Sequence, residues 1–238
     1  MNSLYGTFRL VSEEALFYLG KLMFFYITIP LTLLWILIGY IFGLGDDVVA
    51  AISGPAYCFI ALFGVNGYRT MYPVAIGMGS TRVQLLKVYY GVGVLAVVIC
   101  ITLLNVLQYI LKTLYLHWEI GANILHPGLF LIDGYHFFAY LWIDLMFGLF
   151  LLGVPFLLYS INFRLGMQKS IITLMLLSII FMVLYYGGYL SDSIEWLLGL
   201  DVSGMTLITL LGLCSVGALL LSYPIMQNAP LKPKSRKD

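Results

Sequence analysis

Residues 22 to 43 read LMFFYITIPLTLLWILIGYIFG, and none of these side chains carries a charge. About 20 apolar residues in a helix suffice to cross the hydrocarbon of a bilayer, so this stretch is long enough to span one. Five more apolar stretches follow at 48–66, 88–111, 137–159, 170–190 and 204–226. The sequence therefore predicts an all-α polytopic membrane protein, a single domain over 1–238 with six transmembrane helices. Composition points the same way: of 238 residues 62% are hydrophobic and 10% charged, with a mean hydropathy of +1.00. A soluble domain carries roughly a quarter of its residues as charges. Basic residues are spread over several loops instead of forming one stripe, so nucleic acid is not an expected partner.

Lys and Arg set the orientation. Arg9 and Lys21 precede the first span, Arg69, Arg82 and Lys87 follow the second, Arg164 and Lys169 follow the fourth, and Lys232, Lys234, Arg236 and Lys237 close the chain. Only Lys112 lies on the other side, whose loops hold Asp46, Asp47, Glu119, Asp133, Asp192, Glu195 and Asp201. Both termini are expected in the cytoplasm. In residues 1–21, Ser12 suits the start of a helix with Glu13 and Glu14 in its first turn and Lys21 in its last, expected to lie on the cytoplasmic leaflet. The tail 227–238 reads as a basic anchor near anionic lipid. Before the last span, Asp192, Glu195 and Trp196 suit a small helix dipping into the outer interface. The outer loops are too short to fold into a capture domain.

Motifs for catalysis are missing. The only Gly-Lys pair, Gly20-Lys21, is followed by Leu22 and lacks the upstream glycine of a phosphate-binding loop. Neither H-E-x-x-H nor G-x-S-x-G occurs, so no catalytic residue and no metal ligand is assigned. Cys58, Cys100 and Cys214 fall in apolar runs and read as small hydrophobes. His117, His126 and His136 read as ordinary interfacial histidines. Within the spans, Thr102, Asn105, Tyr109 and Lys112 share one face of the third, with Gln108 beside them, and that face must meet protein or water. Asp144 is the only ionisable side chain deep in the hydrocarbon. It reads as a structural hydrogen bond to the third-span amides or as a cation or proton site lining a path, with Asn105 and Gln108 as neighbours.

Between the second and third spans, residues 71–82 read MYPVAIGMGSTR. Pro73 suits a first helical position and Gly77 and Gly79 a stop, so Tyr72 to Met78 is expected as a short cytoplasmic helix displaying Val74, Ile76 and Met78. Thr81 and Gln84 have the spacing of a capping box for the third span. The stretch YPVAIGMGSTRVQLLKVYYG, together with six spans and a cytoplasmic interfacial helix, resembles the membrane subunit of type-2 ATP-binding-cassette (ABC) exporters. Tyr72, Pro73, Gly77, Gly79, Ser80, Thr81 and Arg82 match that family's loop.

The resemblance implies that the short helix is a coupling helix seated in a groove of a separate ATPase subunit. Tyr72, Pro73, Val74, Ile76 and Met78 would make the contact, and Arg69 and Arg82 would orient it. It implies two ATPase chains and a second permease chain, the same or homologous. ATP and Mg would sit in the partner, and this chain would hold no cofactor of its own. The expected setting is a bacterial cytoplasmic membrane, and the expected cargo a peptide, antimicrobial or lipid-like substrate. A secondary transporter coupled to ions or protons through Asp144 is the alternative. An intramembrane protease of the prenyl-endopeptidase type matches at Glu13-Glu14 but has Tyr18 where that motif wants arginine.

Overall fold

The computed structural model describes residues 3–45, 48–132, 134–190 and 203–230. Helix α1 is Ser3–Phe42, α-helical over Ser3–Ala15 and Ile29–Phe42 and π-helical over Leu16–Thr28. Helix α2 is also continuous: α-helical over Ser53–Leu62, π-helical over Phe63–Gly67 and α-helical over Tyr68–Gly77. Then come α3 (Arg82–His117), α4 (Phe137–Leu165), α5 (Met167–Tyr186) and α6 (Gly204–Met226). Strands β1 (Val49–Ala50) and β2 (Asn123–Ile124) pair in parallel, and a 3₁₀ turn, Pro127–Phe130, follows β2. The small helix expected around Asp192 and Glu195 and the basic tail from Leu231 lie outside the described residues.

Among the described residues, five helices are long and apolar enough to cross a membrane: α1, α3, α4, α5 and α6. The expected second span, 48–66, is not one of them. It corresponds to part of α2, whose apolar run is diluted by Ser53, Tyr57, Asn66, Tyr68 and Arg69. Even so, α2 runs from one end of the bundle to the other. At the first end Ser3 Oγ donates to Gln84 Oε1 at 3.3 Å, Thr70 bonds Glu14, and the Tyr72 hydroxyl donates to the Ala229 carbonyl at 3.1 Å. At the second end Tyr115 donates to the Trp35 carbonyl at 2.8 Å and Leu125 N–H to the Ala50 carbonyl at 2.9 Å. The first described residues and Ala229 therefore share an end, and Arg9, Arg69, Arg82 and Arg164 gather there.

The interfacial helix expected over 1–21 is not a separate element. Thr7, Val11, Ala15, Leu19 and Met23 are all buried, one every four residues, a spacing slightly longer than the α-helical turn that the π-helical segment helps keep on one line. That line packs along α3, so the chain passes without a break from Ser3 into the apolar run, and Ser12 sits inside the helix instead of capping it. The two helices lie parallel. Ser3 is beside Gln84, Gly20 shares a groove with Ala96 and Ile99, and a Cβ on Gly39 would meet the Tyr115 ring at 2.7 Å.

Helices α4 and α6 form the closest pair, brought together by small residues. A Cβ at Gly153 would stand 2.4 Å from Ser215 Oγ, and one at Gly212 2.3 Å from Met146 Sδ. Helix α2 approaches α4 at Gly64, where a Cβ would be 3.1 Å from the Leu152 carbonyl. Helix α5 differs from the rest: it follows α4 after Gly166 (φ 83°) and buries only Ser170. Its apolar side chains are exposed on every face.

Candidate functional site: a buried carboxylate

Asp144 lies two turns into α4 and is fully buried. An ionised carboxylate in such surroundings costs several kcal/mol unless donors reach it. Two do, and a third polar group stands close by, each from a different element. The Tyr57 hydroxyl in the first turns of α2 donates to Oδ1. Asn105 Nδ2 on α3 donates to Oδ2 at 2.8 Å and is held by a second bond to the Ile101 carbonyl at 3.1 Å. His126, between β2 and the 3₁₀ turn, brings Nε2 to 2.7 Å from Oδ1. The ring N–H points off the line to the oxygen, so this is a close polar contact without hydrogen-bond geometry.

Backbone and rings fix His126. Its Nδ1 accepts from Gly128 N–H at 2.8 Å, which makes the histidine the N-cap of the turn Pro127–Phe130. Its ring stacks on Tyr140 with centroids 4.1 Å apart and planes 19° apart. Gly128 must be glycine here, because a Cβ would stand 2.8 Å from Nδ1 and 3.0 Å from the Tyr140 ring. Tyr57 in turn packs edge-on to Phe147 at 4.8 Å. Around this center several buried polar atoms have no hydrogen-bond partner among the described residues: Asn105 Oδ1, both amide atoms of Gln108, and the Tyr135 hydroxyl. The cluster thus has room in its hydrogen bonding for a small polar guest such as water or a proton.

Of the three path residues expected from sequence, Asn105 and Asp144 are in contact, and Gln108 is buried one turn further along α3 without a partner. The expected polar face of α3 divides: Asn105 and Gln108 turn inward, whereas Tyr109 is half exposed. Tyr57 and His126 were not singled out for this site, and His126, expected as an ordinary interfacial histidine, is buried against Asp144. His117 and His136 are exposed. A faint signal existed in the His-Pro-Gly sequence at 126–128, a turn composition that brings a side chain back onto its own backbone.

The expected docking residues sit at the first end but not as a separate short helix. Tyr68–Gly77 continues α2, and Pro73 lies inside it, on the exposed side at the helix end. The stop is a Schellman turn on Gly79 (φ 84°), with Ser80 N–H bonded to the Ala75 carbonyl and Gly79 N–H to the Ile76 carbonyl. Val74 and Met78 are exposed, Ile76 is half buried, Arg69 is exposed and Arg82 partly so. Tyr72 is buried, its ring 5.6 Å from Phe163 and its hydroxyl on Ala229, so it belongs to the core and is removed from the contact surface. The capping box at α3 is half formed: Thr81 Oγ1 accepts from Gln84 N–H at 3.2 Å, while the Gln84 side chain faces Ser3. Among the described residues no group of three His, Cys, Asp or Glu could hold a metal ion. No family model, curated protein or solved structure matches the chain.

Proposed function

We propose that the chain is the permease subunit of an ABC exporter, working with a second permease chain and two copies of a separate ATPase in a bacterial cytoplasmic membrane. In this reading α2 is a sixth span, both termini are cytoplasmic, and the first end faces the ATPase. One observation carries the proposal. A single continuous helix, α2, bears Tyr57 on the buried carboxylate at one end and exposed Val74 and Met78 at the other. Tyr57 and Val74 are roughly 25 Å apart at 1.5 Å per residue. A push on the exposed end is transmitted along the rod to the Asp144 cluster, which is what a permease driven by a partner requires. The uncovered helix α5 supplies apolar surface for a second chain, and the lack of a phosphate-binding loop suits ATP and Mg being held by the partner. A peptide or amphipathic, lipid-like cargo suits an apolar chain with short outer loops.

A proton-coupled carrier is the second reading, favoured by the burial of Asp144 beside His126. The two separate in one experiment. Ile76→Asp places a charge where the ATPase groove would be apolar and should weaken copurification of the ATPase at least tenfold, a loss of roughly 1.4 kcal/mol or more. Arg82→Glu suits the start of α3 electrostatically and should leave insertion intact while reducing substrate-stimulated ATP hydrolysis in liposomes. Full complex formation and undiminished coupled hydrolysis in both variants would reject the exporter reading. Transport driven by a pH gradient without ATPase would establish the carrier.

A further inference from the structure

We propose that His126 and Asp144 form a proton-binding site, filled from the water at the second end, whose occupation opens the 3₁₀ turn Pro127–Phe130. The proposal is independent of the exporter reading and of any partner. Because Nδ1 accepts from Gly128 N–H, it carries no proton, and the neutral ring has its one N–H on Nε2, beside Asp144. The Asp144 carboxyl then has only neutral donors around it. Among the described residues no Lys or Arg nitrogen lies within 4.0 Å of it, the one close basic group being the histidine itself. The titratable neighbors are Tyr57 from α2, Tyr140 from α4 and Tyr135 from the loop before it, with Tyr109 of α3 behind Tyr135. Asn105 and Gln108 do not titrate, and Asp133 lies outside the described residues.

A proton delivered by hydronium has one place on this ring, the Nδ1 lone pair; an N–H bond forms there and water is left behind. The resulting imidazolium neutralises the buried carboxylate, and its stack on Tyr140 favors the cation. The gain at Asp144 is a loss at the turn. Nδ1–H would face Gly128 N–H, two donors 2.8 Å apart, so the cap of the turn is lost. Leu131, at the end of the turn, lies against the start of α6, where a Cβ on Gly204 would meet its Cδ2 at 2.5 Å. Opening the turn therefore reaches a spanning helix.

The test uses the full chain in lipid nanodiscs, with Cys58, Cys100 and Cys214 replaced by alanine and spin labels on the exposed positions Val49→Cys and Phe130→Cys. As the pH is lowered from about 8 to about 5, the distance distribution should gain a population roughly 5 Å longer, as four residues pass from 3₁₀ to extended rise. His126→Asn retains an acceptor for Gly128 N–H but does not titrate, and its distribution should stay short throughout. Asp144→Asn removes the charge that the imidazolium neutralises and should shrink the longer population. A wild-type distribution unchanged across the range would overturn the proposal. So would a His126→Asn variant that opens as the wild type does, because another group would then be titrating. Should Asp144→Asn fail to fold, His126→Asn decides alone.

Discussion

At the scale of the residue, the Asp144 carboxylate depends on donors that lie far from it in sequence. Tyr57 can be examined with least disturbance, because its ring packs on Phe147 while only its hydroxyl reaches the carboxylate. Tyr57→Phe keeps the packing and withdraws one donor from a buried charge. A loss of about 1 to 3 kcal/mol is expected, read as a lower midpoint in thermal unfolding of the purified protein, with Tyr109→Phe, half exposed, as a near-neutral control. Asp144 was legible in the sequence because a lone carboxylate in an apolar run announces its cost. Asn105 was legible because a helical period relates it to other polar side chains. Tyr57 and His126 were not, since tyrosine and histidine are ordinary near a membrane surface and the turn that brings His126 inward is a tertiary arrangement.

At the scale of the element, close approach of backbones decides the pairing. Gly153 and Gly212 let α4 and α6 meet where any side chain would collide. Gly153→Ala would drive a methyl group to 2.4 Å from Ser215 Oγ and 2.7 Å from its carbonyl, and it would press on the bond from Ser215 to the Leu149 carbonyl. A cost of about 1 to 3 kcal/mol is expected, measured as the unfolding free energy in mixed micelles. Gly217→Ala, with nothing within 4 Å of its added Cβ, should be neutral or slightly stabilising. Equal losses in the two variants would mean that helix propensity, not contact, sets the result. Hydropathy located α4 and α6 well, α6 to the residue. It misjudged α1 and α2, because it reports where charges stop and not where a helix stops: α1 continues upstream through Glu13 and Glu14, and α2 continues through Pro73. Proline was tolerated since it falls in the last turns, where the missing N–H affects one exposed bond.

At the scale of the whole molecule, the two ends are defined by contacts between distant segments, and the distribution of Lys and Arg predicts which of them faces the cytoplasm. In a cysteine-free background, Leu4→Cys, exposed at the first end, should react with a membrane-impermeant maleimide only after cells are opened, and Phe130→Cys, exposed at the second, should react in intact cells. The reverse pattern would invert the chain and detach the ATPase from the surface assigned to it. Lys and Arg give an expected orientation, whereas the depth of each residue was not legible, because depth depends on how helices slide against one another. Helices α1 and α3 run parallel and in register. Gly20 faces Ala96 and Ile99, in the middle of the apolar stretch 88–111, so Lys21, expected before the first span, instead stands level with the center of that stretch and is exposed there, a second ionisable side chain deep in the spans in addition to Asp144. Its ammonium lies 6.0 Å from the center of the Tyr26 ring, a weak substitute for hydration. A cation held at that height against hydrocarbon costs about 3 kcal/mol, and the four-carbon stem relieves part of it by reaching toward a headgroup.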